Sequence, residues 1–277
     1  MKIAQLCAVD FTLYHFLLPL MRAMRDAGHE VVGIASDGPF VEKIRAEGFR
    51  VEPVYIERSF NLLRHSGSAR RLKTLFRQER FDIVHVHTPV AALIGRWAAW
   101  RARVPKIVYT AHGFYFHERM AWPKRTAFVA LEWLGGRLTD VLFTQAEEDA
   151  ATARRLRLAR GPIAAIGNGV DPARFHPAAD AEERRALRTA LGADGEEPVI
   201  LMVGRLVAEK GYVELIEAMR DVEATLWVVG ERLASDHAGP VEHAIEMAER
   251  DPVLRRRVRF LGYRNDVPAL MRAADIY

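Results

Sequence analysis

Residues 2–36 read KIAQLCAVDFTLYHFLLPLMRAMRDAGHEVVGIAS. An apolar run of strand length, KIAQLCAV, gives way to FLLPLMRAMRDAG, in which apolar positions recur at helical spacing, and a second apolar run, EVVGIAS, follows at once. Strand, helix and strand in so short a span form the unit of a parallel sheet with crossover helices. The rhythm continues outward through helix PFVEKIRAEG, strand DIVHVH, a helix after Pro89, strand KIVYTAH, a helix ending near Leu138 and strand DVLFTQ. The predicted class is α/β, built on doubly wound parallel sheets. Thr144-Gln-Ala-Glu147 has the spacing of a capping box and is expected to open the next helix.

Between residues 161 and 198 the pattern weakens into GPIAAIGNGVDPARFHPAADAEER and LGADGEEP, where Gly, Pro and acidic residues cluster. Beyond it the rhythm restarts with VILMVGR, YVELIEAM, ATLWVVG, VEHAIEMAER, RVRFLGY and DVPALMRAA. The division expected is 1–175 for a first Rossmann-like domain, 176–197 for a linker and 198–277 for a second, partial domain. The closing ADIY reads as the start of a fourth strand of the second sheet. In doubly wound sheets that strand commonly lies beside the first.

The chain of 277 residues is 50% hydrophobic, enough to bury a substantial core. A lone cysteine, Cys7, excludes an internal disulfide and fits a reducing cytoplasm. No run approaches the roughly 18 apolar residues of a bilayer span. The net charge of +4 is modest, and no nucleic-acid motif accompanies it. Within residues 64–80, RHSGSARRLKTLFRQER, basic residues surround Leu72, Leu75 and Phe76 at helical spacing. That stretch is either a solvated helix face or a contact for an anionic membrane surface.

Neither G-x-G-x-x-G nor G-x-x-x-x-G-K-[ST] follows any expected strand, which argues against a dinucleotide dehydrogenase and a P-loop NTPase. The turn VGRLVAEKG, residues 203–211, instead places Arg205 and Lys210 near the carboxyl end of a strand, where open α/β sheets bind ligands. Two cations there, with a helix N-terminus following, suit a diphosphate or form a solvated basic turn. His85, His87, His112 and His117 fall at or just after strands of the first domain. They lack H-E-x-x-H spacing and a cysteine pair, so no metal is expected. His112, followed by Gly113, is placed either to donate a hydrogen bond to a polar ligand or to hold a turn.

The ordered set DIVHVH (82–87), TAHGF (110–114), IGNGVD (166–171), VGRLVAEKG, VGE (229–231) and FLGYRNDVPALMRAAD (260–275) resembles the retaining family 4 glycosyltransferases, essentially over the whole chain. The resemblance implies a GT-B fold and transfer of a sugar from a nucleotide-diphosphate sugar to a glycan or polyprenyl-linked acceptor, without a cofactor. The opening VDFTLYHFLLPL and AHGFYFH look closest to bacterial branches that build capsule, exopolysaccharide or lipid-linked glycans. By the resemblance, Arg205 and Lys210 stabilise the departing diphosphate and His112 contacts the transferred sugar. Gly204, Gly230, Glu231, Arg259, Phe260, Leu261 and Tyr263 surround the nucleotide, and Asp10, Thr12, His87, Gly113 and Phe114 lie on the acceptor side. Two departures accompany it. The loop at Asp10 lacks the paired glycines usual in the family, and the family's E-x7-E segment would fall after ADIY, so an inactive short chain is expected. A non-catalytic binding form and a nucleotide-sugar 2-epimerase are the alternatives, the latter disfavoured by the G-R-x4-K-G spacing and the NGVD linker.

Overall fold

The computed structural model describes every residue except 58–61, 119, 194, 196 and 233–238. Two compact units divide it, Met1–Asn168 and Gly169–Tyr277. The first contains, in order, β1 (Lys2–Val9), α1 (Asp10–Thr12), a wider helical turn (Leu13–Leu17), α2 (Leu18–Asp26), β2 (Glu30–Ser36), α3 (Val41–Ala46) and β3 (Arg50–Pro53). Then follow α4 (Ser66–Glu79), β4 (Ile83–His87), α5 (Pro89–Ala102), β5 (Lys106–Ala111), α6 (Trp122–Gly136), β6 (Val141–Thr144), α7 (Glu147–Leu156) and β7 (Ile163–Ala165). All seven strands are parallel, in the order β3-β2-β1-β4-β5-β6-β7, the doubly wound order. Six of the eight residues of β1 are buried, because a central parallel strand is covered on both faces.

Helices α2 and α3 close one apolar cluster with Leu13, Ala35 and Ile44, while α4 and α5 close the other with Leu6, Phe76, Val86 and Ala98. Leu72 and Phe76 are therefore core residues facing the sheet, and Leu75 is half-buried against the same cluster. The apolar stripe of residues 64–80 is spent inside the unit, and its cationic border is what remains exposed. Across this layer Arg96 is fully buried. Its guanidinium meets Glu132 at 3.0 Å, lies 4.4 Å from the centre of the Tyr109 ring and abuts Gly135, where a Cβ would fall 2.4 Å from Cζ.

The second unit contains α8 (Ala181–Ala190), β8 (Val199–Val203), a single 3-10 turn (Ala208–Lys210), α9 (Tyr212–Ala218), β9 (Thr225–Val229), α10 (Pro240–Arg250), α11 (Leu254–Arg257), β10 (Val258–Gly262) and α12 (Val267–Ala273). Its parallel strands run β10-β9-β8. The terminal ADIY lies against β8 on the free side: Ile276 bridges Ile200, and its carbonyl accepts the Leu201 N–H at 2.8 Å. The expected fourth strand thus begins beside the first. Asp275 locks that edge, accepting the Val199 N–H at 2.8 Å and pairing with Arg184 and Arg188.

Two local readings are corrected. Thr144 does not cap a helix: its hydroxyl donates to the Ala146 carbonyl at 2.9 Å, and α7 starts at Glu147 without a side-chain cap. The stretch 176–197, read as a linker, holds α8, which packs on α12. Asp180 caps α8 by accepting the N–H groups of Glu182 and Glu183, and Glu183 accepts the Ala179 N–H in return.

Candidate functional site

In the first unit the carboxyl edge of the sheet carries a buried polar chain. Strand alternation puts His85 and His87 on one face of β4, and their ring centres lie 4.1 Å apart. Gln5 stands across from His85 in the parallel register of β1 and β4. Five contacts follow one another: Gln145 Nε2 to His112 Nδ1 at 2.7 Å, His112 Nε2 to His87 Nδ1 at 3.1 Å, and His87 Nε2 to Gln5 Oε1 at 2.8 Å. Gln5 Nε2 then meets His85 Nδ1 at 3.3 Å, and His85 Nε2 meets Thr110 Oγ1 at 2.7 Å.

One assignment of hydrogens satisfies the whole chain. An amide oxygen only accepts, so His87 carries its hydrogen on Nε2; an amide nitrogen only donates, so Nδ1 of His85 and of His112 is bare. His112 Nε2–H then donates to the bare Nδ1 of His87, and His85 Nε2–H donates to Thr110. Both glutamines impose the same direction, and a second proton has no acceptor to face. Burial holds all three rings neutral: His85 is lowered to about 3, His87 well below its ordinary value, and His112 in the same direction.

Both ring nitrogens of His112 are thus committed inside this unit, and any donation to a ligand replaces one of those bonds. His117 is exposed and stands outside the chain. Asp10 is buried, its carboxylate accepting the N–H groups of Phe11 at 2.9 Å and Phe40 at 2.8 Å, so it braces two loops. Thr12 is half-buried in the turn that follows β1, and Gly113, with φ of +97°, carries the chain out of β5. The Phe114 ring stacks on Phe116 and packs against the core. Sequence reasoning missed Gln5, whose signal was a lone amide inside a buried apolar strand, and Gln145, which leaves β6 as His112 leaves β5. It also missed Thr88, a β-branched residue at φ of +62° immediately before α5, whose buried hydroxyl has no hydrogen-bond partner among the described residues.

In the second unit three glycines lie side by side where the strands end. The Gly204 N–H donates to the Val229 carbonyl at 2.9 Å, and the Gly230 N–H donates to the Gly262 carbonyl at 2.9 Å. Gly230 has φ of +138°, and a Cβ there would sit 1.9 Å from the Gly204 carbonyl oxygen, so only glycine fits. The Tyr212 hydroxyl donates to that same oxygen at 2.9 Å, which fixes the turn. Arg205 and Lys210 are both exposed in the turn beside this floor. Glu231 is exposed, and its carbonyl accepts the Leu206 N–H at 3.3 Å, tying the β9 end to the β8 turn. Tyr263 stands 65% exposed just past β10. Arg259 lies back along β10 with its guanidinium on the Gly192 carbonyl, while Phe260 and Leu261 pack into the cores on opposite faces of the sheet.

Two doubly wound units, each on a parallel sheet and the second with a glycine floor and adjoining cations at its carboxyl edge, define the class of α/β proteins with two Rossmann-like domains. The sequence model of Glycosyltransferase Family 4 matches residues 16–174, and that of Glycosyl transferases group 1 matches residues 183–277. The chain belongs to glycosyltransferase family 4 and has the GT-B fold. It is 30% identical to EpsD of Bacillus subtilis over 99% of this chain and 71% of that protein. It is 28% identical to the UDP-Gal:alpha-D-GlcNAc-diphosphoundecaprenol alpha-1,3-galactosyltransferase of Escherichia coli over 79% of this chain and 57% of the enzyme. The structure of Anabaena Alr3699/HepE in complex with UDP-glucose superposes with a TM-score of 0.70 at 20% identity, covering 99% of this chain and 72% of that one. No helix among the described residues is long and apolar enough to cross a membrane.

Proposed function

We propose that the second unit binds a nucleoside diphosphate sugar, UDP-linked, on its glycine floor. The protein transfers that sugar, with retention of configuration, to a glycan or polyprenyl-linked acceptor in cell-surface polysaccharide synthesis at the cytoplasmic side of the membrane. The observation that carries this reading is the row Gly204, Gly230 and Gly262 with Arg205 and Lys210 in the adjoining turn: a surface without side chains admits the nucleotide, and two cations meet its phosphates. The UDP donor and the lipid-linked acceptor rest on the names of the Anabaena structure and the Escherichia coli relative.

As the sugar–phosphate bond breaks, negative charge grows on the β-phosphate. Cations already in place stabilise it more in the transition state than in the ground state, and no metal is needed for that step. Because the chain spans 71% and 57% of the two relatives, the titration that tests donor binding uses both this chain and a form extended to their full length. Calorimetry with UDP and GDP should show UDP binding. Arg205→Ala and Lys210→Ala should each weaken it about 10- to 100-fold, the worth of a charge-assisted phosphate contact. If neither folded form binds either nucleotide, the reading is wrong.

A further inference from the structure

Four of the five tryptophans in the sequence lie on one helical layer of the first unit, and all four are exposed. Trp97 and Trp100 project from α5, one turn apart; Trp122 and Trp133 lie three turns apart on one side of α6. Their exposure runs from 41% at Trp97 to 76% at Trp122, whereas the fifth, Trp227, is fully buried in the second unit. Leu134, 56% exposed, joins them. Between α4, α5 and α6 an apolar groove of about 490 Å³ opens beside these rings, lined by Ala69, Leu93, Trp97, Leu131, Leu134 and Leu138, with exposed Arg70 at its lip.

The charge of this layer has one sign. Arg70, Arg71, Arg77, Arg101 and Lys124 are exposed on the three helices, and Arg137 follows at the end of α6. Two of these cations sit over exposed rings, Arg101 over Trp100 at 5.6 Å and Arg137 over Trp133 at 5.5 Å. The three helices contain only two carboxylates. Glu79 is held by Lys2 and Arg50 at 2.8 and 2.7 Å, and Glu132 is buried on Arg96. No carboxylate on these helices is left to repel an anionic surface.

Tryptophan is the side chain of the membrane–water boundary, with an apolar body and a polar N–H. Arginines around it supply attraction to anionic headgroups. We infer that the α4–α5–α6 face of the first unit docks on an anionic lipid bilayer, with Trp97, Trp100, Trp122 and Trp133 entering the headgroup region and the basic residues meeting lipid phosphates. The stripe of residues 64–80 contributes only its cations, because Leu72 and Phe76 face the core. The inference deepens the lipid-linked acceptor reading but is tested without donor or acceptor, so vesicle binding and nucleotide binding fail separately.

The experiment is co-sedimentation of the chain with vesicles of phosphatidylglycerol and phosphatidylcholine, and with phosphatidylcholine alone, at low and high salt, with brominated acyl chains as a second readout. Capture by the anionic vesicles at low salt, weakened by salt, with quenching of tryptophan fluorescence, is the expected result. Trp97→Ser, Trp100→Ser and Trp133→Ser together should lower partitioning on the order of a hundredfold. Arg70→Glu with Arg71→Glu should lower it at least tenfold. Replacing all four exposed tryptophans by Phe should keep capture and abolish quenching, since only Trp227 remains, and unchanged circular dichroism and melting show the variants folded. Failure of anionic vesicles to capture the protein overturns the inference, as does capture without quenching. Reversible self-association removed by the Trp→Ser variant also overturns it and assigns the face to a second copy of the chain.

Discussion

Acid should weaken the first unit before it reaches any carboxylate, because the histidine chain resists taking a proton. An unfolded imidazole titrates near 6.5, whereas His85 in the fold is lowered to about 3 and His87 well below 6.5, both first of all by burial. With folded values beneath the unfolded ones, the neutral rings contribute stability that is fully present above about pH 6.5 and lost as pH falls toward 3. Each proton withheld is worth about 1.4 kcal/mol per pH unit, so at pH 5 His85 has cost about 2 kcal/mol and His87 adds to the loss in the same direction. That is a large share of the 5–15 kcal/mol typical of a domain. Glu79, lowered to about 2 by its bonds to Arg50 and Lys2, adds its loss only below about pH 4.5, outside this window. Urea unfolding between pH 7.5 and 5, read by tryptophan fluorescence from the four rings of this unit, should fall below pH 6 with a slope above one proton. His85→Gln should reduce that slope by about one proton. A slope under one proton, or ring resonances of His85 and His87 that titrate near 6.5, would refute both the neutral rings and the hydrogen-bond direction derived from them.

Three further outcomes follow from close contacts. Gly230→Ala should cost the second unit roughly 2–4 kcal/mol in thermal melting, since its Cβ meets the Gly204 carbonyl at 1.9 Å; Gly204→Ala, whose Cβ meets only the Tyr212 hydroxyl at 3.4 Å, should cost under about 1 kcal/mol. Glu132→Ala strands the Arg96 guanidinium in the core and should cost about 3–5 kcal/mol, most of it recovered when Arg96→Met and Glu132→Leu are combined; equal losses in the single and double variants would show that the pair itself is net stabilising. Asp275→Asn should cost about 1–2 kcal/mol of second-unit stability in chemical denaturation, because the carboxylate is the shared partner of Val199 N–H, Arg184 and Arg188. Those bonds hold its pKa below the usual range, although burial alone would raise it.

What the sequence revealed of the fold, and what it hid, divides by how much of each element the core reads. Strands β1, β2, β4, β5 and β6 and their crossover helices were legible because burial on both faces writes long apolar runs. β3, of four residues, and β7, of three, lie at the two ends of the sheet, where burial is partial and no run forms. Helix α8 buries no residue fully, so its periodicity was lost in acidic and basic side chains, although D180-A-E-E183 carried a usable cap signal. The T-x-x-E spacing at Thr144 misled for the opposite reason. Thr144 is the fully buried last residue of β6, and the strand geometry turned its hydroxyl onto Ala146 before the helix began.

The candidate sites show the same limit one level up. Alternation alone put His85 and His87 on one face, and spacing alone put Arg205 and Lys210 in one turn. Neither states which side chain from another strand stands opposite. Gln5 meets His85 only because β1 pairs with β4 in a register that sets the two residues face to face, eighty positions apart. Gln145 reaches His112 only because β6 lies beside β5. The polarity of the chain, and with it the neutral state of His112, is fixed by those two amides. A histidine read from sequence as a donor to a ligand is, in the fold, already donating to His87 and accepting from Gln145, so ligand engagement at His112 requires an exchange of hydrogen bonds within the first unit.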